Sequence, residues 1–187
     1  MGAVDYLPHY TYDDYKLWEG DWELIEGLAI ARQGSVAMSP APMRKHQSLA
    51  SAIIAQLYNQ LDDCDTCEVL GEVDYKISHE TTLRPDIALT CGEENNAYLT
   101  KAPEIIIEII SKATASRDET YKFNVYEAEK VQYYVIVYPN ELYAKVYKLV
   151  DGKYDKQGDF SKETYDFEET LCHASINFNQ VFKRFRK

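Results

Sequence analysis

The most apolar stretch of the chain is Pro-Glu-Ile-Ile-Ile-Glu-Ile-Ile-Ser at residues 103–111, where five isoleucines surround Glu104 and Glu108. Such a run is typical of a β-strand that is buried on both faces. A carboxylate inside it loses its hydration. Glu108 must therefore be protonated, paired with a cation or held at an open strand end.

Before this run, the pattern predicts a short helix over 11–19, a two-stranded hairpin over 21–39 and a helix over 43–61. The last of these is the clearest, because apolar residues recur at four-residue spacing: Leu49, Ile53, Leu57 and Leu61. Strands are predicted over 67–78 and 85–91, with a turn at 79–82 between them.

After the run, a helix is predicted over 117–129, with Tyr121, Val125 and Ala128 on its buried face and Lys122 at the margin of that face. A strand over 131–138 follows. The three elements form a strand–helix–strand unit, which predicts a parallel pair with a right-handed crossover.

The remainder predicts a strand over 142–150, a hairpin turn at Asp151-Gly152, a strand near Tyr165 and Phe167, and a closing helix over 176–185. The expected fold is a single α/β domain over residues 1–187, with a mixed sheet flanked by helices and an N-terminal β-hairpin.

The charge and composition of the chain limit the classes of function that it can have. The formal net charge of −11 disfavours avid non-specific binding of nucleic acid, although a local cationic groove remains compatible with it. The sequence shows no secretory leader and no apolar run of about 20 residues, so we expect a cytoplasmic protein without a membrane anchor. Sixteen tyrosines suit half-buried strands or a self-association surface.

The four cysteines are Cys64, Cys67, Cys91 and Cys172. Cys64 and Cys67 form a Cys-x-x-Cys pair that resembles half a zinc site, but only Cys172-His173 offers a second pair of ligands. We therefore expect reduced thiols without a structural role.

Three ionisable residues stand out: Asp86 at the opening of one strand, Glu108 inside another, and Lys122 on the following helix. Two carboxylates from adjacent strands suit a hard cation such as Mg²⁺ or Mn²⁺, which prefers oxygen ligands. A nearby lysine can orient water or neutralise charge on a phosphate. Lys112, which shares a face with Glu108, competes with Lys122 for this role.

The order of these motifs resembles the Uma-type restriction endonuclease family, a branch of the Pro-Asp…(Asp/Glu)-x-Lys nucleases with the restriction-endonuclease-like fold. The resemblance covers nearly the whole chain and rests on the following motifs: Trp22-Glu23-Leu24-Ile25-Glu26-Gly27, Met38-Ser39-Pro40, His46, Pro85-Asp86, Glu108 to Ser111, Arg117-Asp118, Lys122 and Tyr126.

The resemblance implies that Asp86 and Glu108 bind the metal and that Lys122 replaces the usual strand lysine, whose place Ile110 occupies. It also implies secondary roles for His46 and for a hairpin glutamate, Glu23 or Glu26. The chain departs from the family pattern at three further positions: Lys112, Tyr133 and Tyr138.

The function that follows is magnesium-dependent hydrolysis of DNA by an endonuclease, with Asp86, Glu108, Lys122, His46 and Glu26 as its site and a homodimer as the expected assembly. The alternative is a catalytically inactive nuclease fold that acts as a dimeric binding or regulatory module. A small-molecule-binding barrel fits less well, because a strand–helix–strand unit does not belong to a simple antiparallel barrel.

Overall fold

The structure is a computed structural model that describes residues 8–32, 44–111 and 114–186. Its largest element is a six-stranded mixed sheet in the order β10-β9-β8-β7-β6-β3. The strands of this sheet are β3 (Cys67–Gly71), β6 (Ile87–Cys91), β7 (Ile105–Ile109), β8 (Tyr133–Tyr138), β9 (Tyr143–Val150) and β10 (Lys153–Phe160).

The Ile-rich strand β7 lies inside this sheet. It pairs antiparallel with β6 and parallel with β8, and every residue of β7 and β8 is buried. The predicted buried strand and the predicted parallel pair are both confirmed. A strand with neighbours on two edges and helices over two faces has no solvated side, which explains its continuous apolar run.

Helices cover both faces of the large sheet. On one face α2 (Arg44–Tyr58) and α5 (Phe178–Phe182) pack on Ile105, Ile107 and Ile109. On the other face Ile106 packs in a second apolar cluster that includes Tyr126 and Tyr134. The alternation along β7 therefore divides the core into two layers.

A second sheet has the order β2-β1-β5-β4. It contains β1 (Trp22–Ile25), β2 (Leu28–Ala31), β4 (Tyr75–Lys76) and β5 (Thr82–Leu83). The predicted N-terminal hairpin is thus confirmed as β1 and β2, while its segment 33–39 lies outside the described residues.

The hairpin turn is made by Glu26 and Gly27, both with positive φ. A Cβ at Gly27 would collide with the imidazole ring of His9. Glycine is therefore required here both for the backbone conformation and for the close approach of His9.

The strand predicted over 67–78 is wrong as one element. It forms β3 and β4, which belong to different sheets, and Glu72 between them has a φ of 52° that ends the extended run. Likewise, the turn predicted over 79–82 overlaps β5. Pairing with β4 and β1 overrides the weak local preference of such a short strand.

The first helix is shorter than predicted. α1 (Tyr12–Tyr15) ends four residues before Glu19. Its amino end is as expected, because the Asp14 carboxylate accepts hydrogen bonds of 2.8 Å from both the Thr11 amide and the Thr11 hydroxyl.

The helix predicted over 117–129 consists of three segments: α3 (Ala115–Arg117), a π-helical turn (Asp118–Lys122) and α4 (Phe123–Ala128). The predicted buried face is wrong, because Lys122 and Tyr126 are buried whereas Tyr121 and Val125 are only partly so. A π-turn inserts one residue per turn and rotates the following side chains, which a 3.6-residue period does not anticipate.

The C-terminal part adds the predicted turn at Asp151-Gly152 between β9 and β10, then a two-stranded sheet of β11 (Thr164–Asp166) and β12 (Ser175–Asn177). β12 was not predicted, and it occupies the start of the segment expected to be helical. The helical part is α5, followed by a 3₁₀ turn (Lys183–Phe185).

The cysteines differ from the expectation of reduced thiols. Cys64 is paired with Cys172 and Cys67 with Cys91 in disulfides. The second pair follows from strand register, since Cys67 lies opposite Cys91 in the β3–β6 ladder. Within the described ranges, no helix combines the length and apolarity that a membrane crossing requires.

The packing of helix α2 against the large sheet can be tested by mutation. Ile53 is fully buried between α2 and the large sheet, and its replacement by alanine leaves a cavity. We expect Ile53→Ala to lower the free energy of unfolding by about 2–5 kcal/mol in urea denaturation followed by circular dichroism. Ser51→Ala, on the exposed side of the same helix, should change it by less than about 0.5 kcal/mol. Equal losses in the two variants would contradict this packing.

Candidate active site

Two carboxylates face each other across the β6–β7 ladder. Ile87 pairs with Ile107 in antiparallel register, so Asp86 and Glu108 occupy the next opposed position. Side chains at opposed positions lie on one face of a sheet and are close neighbours, and like charges placed there destabilise it. Positive charge is therefore required at this point.

Asp86 receives that charge from two elements. Its Oδ1 accepts a 2.9 Å hydrogen bond from Arg32 Nη2, and its Oδ2 lies 3.0 Å from His46 Nε2 and accepts a 2.7 Å bond from the Ile109 amide. Burial alone would raise the pKa of Asp86, but His46, Arg32 and the amide hold it below its usual value.

His46 lies in the first turn of α2 and is largely buried against Asp86. Burial opposes its charge, yet the hydrogen bond and the charge of Asp86 raise the pKa of His46 above its ordinary value. This predicted site residue therefore contacts the predicted metal ligand, and its imidazole fixes the orientation of the carboxylate.

Glu108 is buried and accepts a 2.9 Å hydrogen bond from Lys122 Nζ and a 3.0 Å bond from the Tyr126 hydroxyl. Both bonds end on the same carboxylate oxygen, Oε1. Desolvation raises the pKa of Glu108 to about 8 despite the opposing effect of Lys122, with further increases from Asp118 and Asp86.

Lys122 is the cation that joins the elements of the site. Its Nζ lies 2.8 Å from Glu23 Oε1, 2.9 Å from Glu108 Oε1 and 3.6 Å from Asp118 Oδ1, with only 2% of the side chain exposed. Desolvation lowers the pKa of Lys122, but the carboxylates outweigh it and raise that pKa, so the ammonium remains protonated.

The hairpin contributes Glu23 to this cluster and not Glu26. Glu23 is fully buried on β1, where its Oε1 also accepts a 3.0 Å hydrogen bond from the Arg84 amide. Glu26 lies in the exposed turn, where its amide donates a 3.2 Å hydrogen bond to the Thr81 hydroxyl. Of the two candidate hairpin glutamates, the structure therefore places Glu23 in the cluster and Glu26 outside it.

The cluster contains equal numbers of acids and cations when His46 is protonated. Four buried carboxylates meet three permanent cations and His46; the acids are Glu23, Asp86, Glu108 and Asp118, and the cations are Arg32, Arg117 and Lys122. Among the described residues, Glu23 Oε2 and Asp118 Oδ1 are buried without a hydrogen-bond partner. Burial raises the pKa of Asp118, although the charge of Lys122 opposes this increase.

Sequence reasoning gave Arg32 no role. Arg32 follows β2, is buried, and bridges Asp86 to Asp21, whose Oδ1 lies 3.0 Å from Arg32 Nη1. The signal available was a cation directly after an apolar strand, which is weak by itself. The competing lysine, Lys112, lies outside the described residues.

The donor set fits a hard divalent cation. Asp86 and Glu108 offer carboxylate oxygens at one opposed position, and a carboxylate oxygen accepts more than one bond. Within the described segments, these two acids are not part of any group of three His, Cys, Asp or Glu donors close enough to share an ion. A cation held by two carboxylates retains several waters, as Mg²⁺ does.

The fold and this site define a restriction-endonuclease-like α/β protein. The chain belongs to the Uma2 family, whose model carries the description "Putative restriction endonuclease" and matches residues 13–174. The resemblance stated from the motifs is thereby confirmed. No curated protein matches the sequence.

Solved structures support the same fold. A crystal structure described as "a putative nuclease belonging to DUF820" from Anabaena variabilis is similar to this chain with a TM-score of 0.70 and 18% sequence identity. The match covers 92% of this chain and 97% of that one. At this identity the likeness establishes the shared architecture and not a shared chemistry.

The raised pKa of Glu108 predicts how stability depends on pH in metal-free protein. Between about 4.5, its ordinary value, and about 8, the folded chain binds a proton that the unfolded chain has lost. The free energy of unfolding therefore falls as pH rises through this window, by at most about 1.4 kcal/mol per pH unit. His46, whose pKa is raised, adds a loss of the same sign above pH 6.5.

Glu108→Gln should flatten this dependence in urea denaturation from pH 5 to 8 with EDTA present, because glutamine does not titrate. Glu26→Gln, in the exposed turn, should keep the wild-type slope and serves as the control. Identical slopes in wild type and Glu108→Gln would show that Glu108 folds with its proton already lost.

Proposed function

We propose that this chain is a magnesium-dependent DNA endonuclease that hydrolyses phosphodiester bonds with Asp86, Glu108 and Lys122. One observation carries the proposal: two buried carboxylates oppose each other in the β6–β7 register, and a buried ammonium lies 2.9 Å from one of them. Membership in the family described as "Putative restriction endonuclease" supports the same class of reaction.

Asp86 and Glu108 would hold the metal, together with the main-chain carbonyl of Ile109. When bound, Mg²⁺ or Mn²⁺ lowers the pKa of a coordinated water and polarises the phosphate. The raised pKa of Glu108 is consistent with a site completed by a cation, since added positive charge stabilises the carboxylate form.

Lys122 would donate a hydrogen bond to the attacking water or to a phosphate oxygen on which charge develops. Glu23 and Asp118 keep it protonated and restrict its position. This preorganisation matters because a donor that is already oriented needs no rearrangement as the transition state forms. Arg32 and His46 orient Asp86 in the same way.

A local cationic surface supports DNA as the substrate despite the net charge of −11. The amino end of α2 carries Arg44, which is exposed, and Lys45, beside His46 at the site. A helix amino end and basic side chains both attract phosphate. The rest of the acidic surface would limit binding to this region.

The alternative is a nuclease fold that binds without cleaving, acting in the cytoplasm as a homodimer. The observation in its favour is that Lys122 already contacts three carboxylates, and that Asp86 already contacts Arg32, His46 and the Ile109 amide. If these contacts persist when metal is added, the site has no coordination position to offer.

The first test compares isosteric variants. Purified protein should nick or cut supercoiled plasmid DNA with Mg²⁺ or Mn²⁺ and not with EDTA. Asp86→Asn and Glu108→Gln should lose at least about 100-fold in rate, because each removes a charge that binds the metal. Glu104→Gln, at the start of the same Ile-rich segment but outside the cluster, should cleave as wild type does.

Two results distinguish the alternatives. Equal cleavage by wild type, Asp86→Asn and Glu108→Gln would contradict the assignment of the residues. Absence of cleavage, together with a calorimetric metal-binding signal that Glu108→Gln abolishes, would favour the non-cleaving module, and light scattering on the same sample would give its oligomeric state.

The second test separates the two hairpin glutamates. Glu23→Gln weakens the anchoring of Lys122 and should reduce cleavage about 10- to 100-fold, the loss typical of residues that orient the groups of a metal site without binding the metal themselves. Glu26→Gln should retain wild-type activity. Thermal unfolding of both variants checks that the comparison is made on folded protein, and the reverse order of activities would return the role to Glu26.

A further inference from the structure

The four cysteines come from four parts of the chain and meet at one place. Cys64 lies in the turn after α2, Cys67 begins β3, Cys91 ends β6, and Cys172 lies in the loop between β11 and β12. The two disulfides touch each other, since the Cys67 and Cys172 sulfurs are 3.4 Å apart although they belong to different pairs.

Two separate disulfides have no physical need to be adjacent, whereas a tetrathiolate metal site requires all four sulfurs together. Four thiolates around Zn²⁺ at about 2.3 Å place their sulfurs about 3.8 Å apart. The sulfurs of Cys64, Cys67 and Cys172 lie within 4.8 Å of one another, and the sulfur of Cys91 is bonded to that of Cys67. Three of the four sulfurs therefore lie close enough to share one ion, and the fourth, that of Cys91, is joined to this group through its bond to Cys67.

Local contacts around the cluster hold the cysteines in position. Cys64 and Cys67 have the Cys-x-x-Cys spacing of zinc knuckles. Thr66 Oγ1 between them lies 4.0 Å from both sulfurs, and the Thr66 carbonyl accepts a 2.8 Å hydrogen bond from the Gly92 amide next to Cys91. Such outer contacts orient metal-binding sulfurs.

We propose that the reduced chain binds one Zn²⁺ through Cys64, Cys67, Cys91 and Cys172, and that the two disulfides are the oxidised form of this site. One phosphine and one water reduce each disulfide: the phosphine gives up two electrons and takes the water oxygen as its oxide, the water protons go to the sulfurs, and the two disulfides yield four thiols. Zn²⁺ then displaces the four thiol protons and binds the thiolates. In reducing compartments the thiol form is the stable one.

The site is separate from the nuclease cluster. Cys91 and Asp86 lie at opposite ends of β6, five residues apart, which corresponds to about 16 Å of extended strand. The zinc would connect β3 and β6 to the loop before β12, and thus tie the C-terminal segment to the edge of the large sheet. This inference does not depend on the proposed nuclease activity.

Cobalt provides the test, because Co²⁺ bound by thiolates absorbs in the near ultraviolet and in the visible. Protein reduced with the phosphine TCEP, freed of metal with EDTA and kept without oxygen should bind one equivalent of Co²⁺ with a thiolate charge-transfer band. One equivalent of Zn²⁺ should remove the band and raise the Tm.

Matched variants locate the ligands. Cys172→Ser and Cys91→Ser should each lose the tetrathiolate spectrum, whereas His173→Ala, directly beside Cys172, should keep it. Glu108→Gln should also keep it, which separates this metal from one at the nuclease site.

Absence of the band in wild type, or its persistence in both cysteine variants, would overturn the proposal and leave the disulfides as the functional form. Should the serine variants not fold, zinc-edge X-ray absorption on wild type decides the matter. Four sulfurs at about 2.3 Å support the site, and a nitrogen or oxygen shell contradicts it.

Discussion

The buried ammonium of Lys122 is the interaction on which the arrangement of this molecule depends. It contacts Glu23 on β1, Glu108 on β7 and Asp118 on its own π-helical turn, so one cation connects this turn both to β7 and to a hairpin near the start of the chain. Removing one partner from a buried charge pair typically costs about 3–5 kcal/mol, because the remaining charge is left without compensation. The small sheet, the large sheet and the helical segment are thus fixed relative to one another by electrostatics as well as by apolar contact.

The π-helical turn gives this interaction its geometry. In a regular α-helix the apolar period would place Tyr121 and Val125 toward the sheet, and Lys122 would lie at the edge. The wider turn over Asp118–Lys122 instead directs Lys122 and Tyr126 onto Glu108, which accepts a hydrogen bond from each. Such turns often occur at functional sites.

The two ends of strand β6 in the large sheet carry different kinds of potential ligand groups. One end of β6 carries Asp86 in a cluster of hard oxygen and nitrogen groups, while the other end carries Cys91 among soft sulfur groups. Hard cations select the first set of ligands and zinc the second. Strand β6 pairs with β7 along one edge, where Asp86 lies opposite Glu108. Along its other edge it pairs with β3, where Cys91 lies opposite Cys67.

The elements that could be predicted from the amino-acid sequence are those with a strong local pattern of apolar and turn residues. These are the Ile-rich strand, helix α2, the N-terminal hairpin and the parallel β7–β8 pair, because apolar periodicity and turn residues act over short distances. The sequence also singled out Asp86 and Glu108 as carboxylates in apolar strands and Lys122 on the following helix, while His46 came from the resemblance to the nuclease family. The division of 67–78 into two strands and the short strands β5 and β12 were not predictable in this way, because their partners lie far along the chain.

Which charged side chains contact one another became clear from the three-dimensional structure and not from the sequence. Glu23 joins the cluster because its side chain points from β1 into the core, whereas Glu26 lies in the exposed turn. The tertiary structure also added Arg32 to Asp86 and gathered cysteines separated by 24 and 108 residues. The physical reason is that periodicity reports which face of an element is buried, whereas the partners of a buried charge or thiol are set by strand register and by the packing of whole elements.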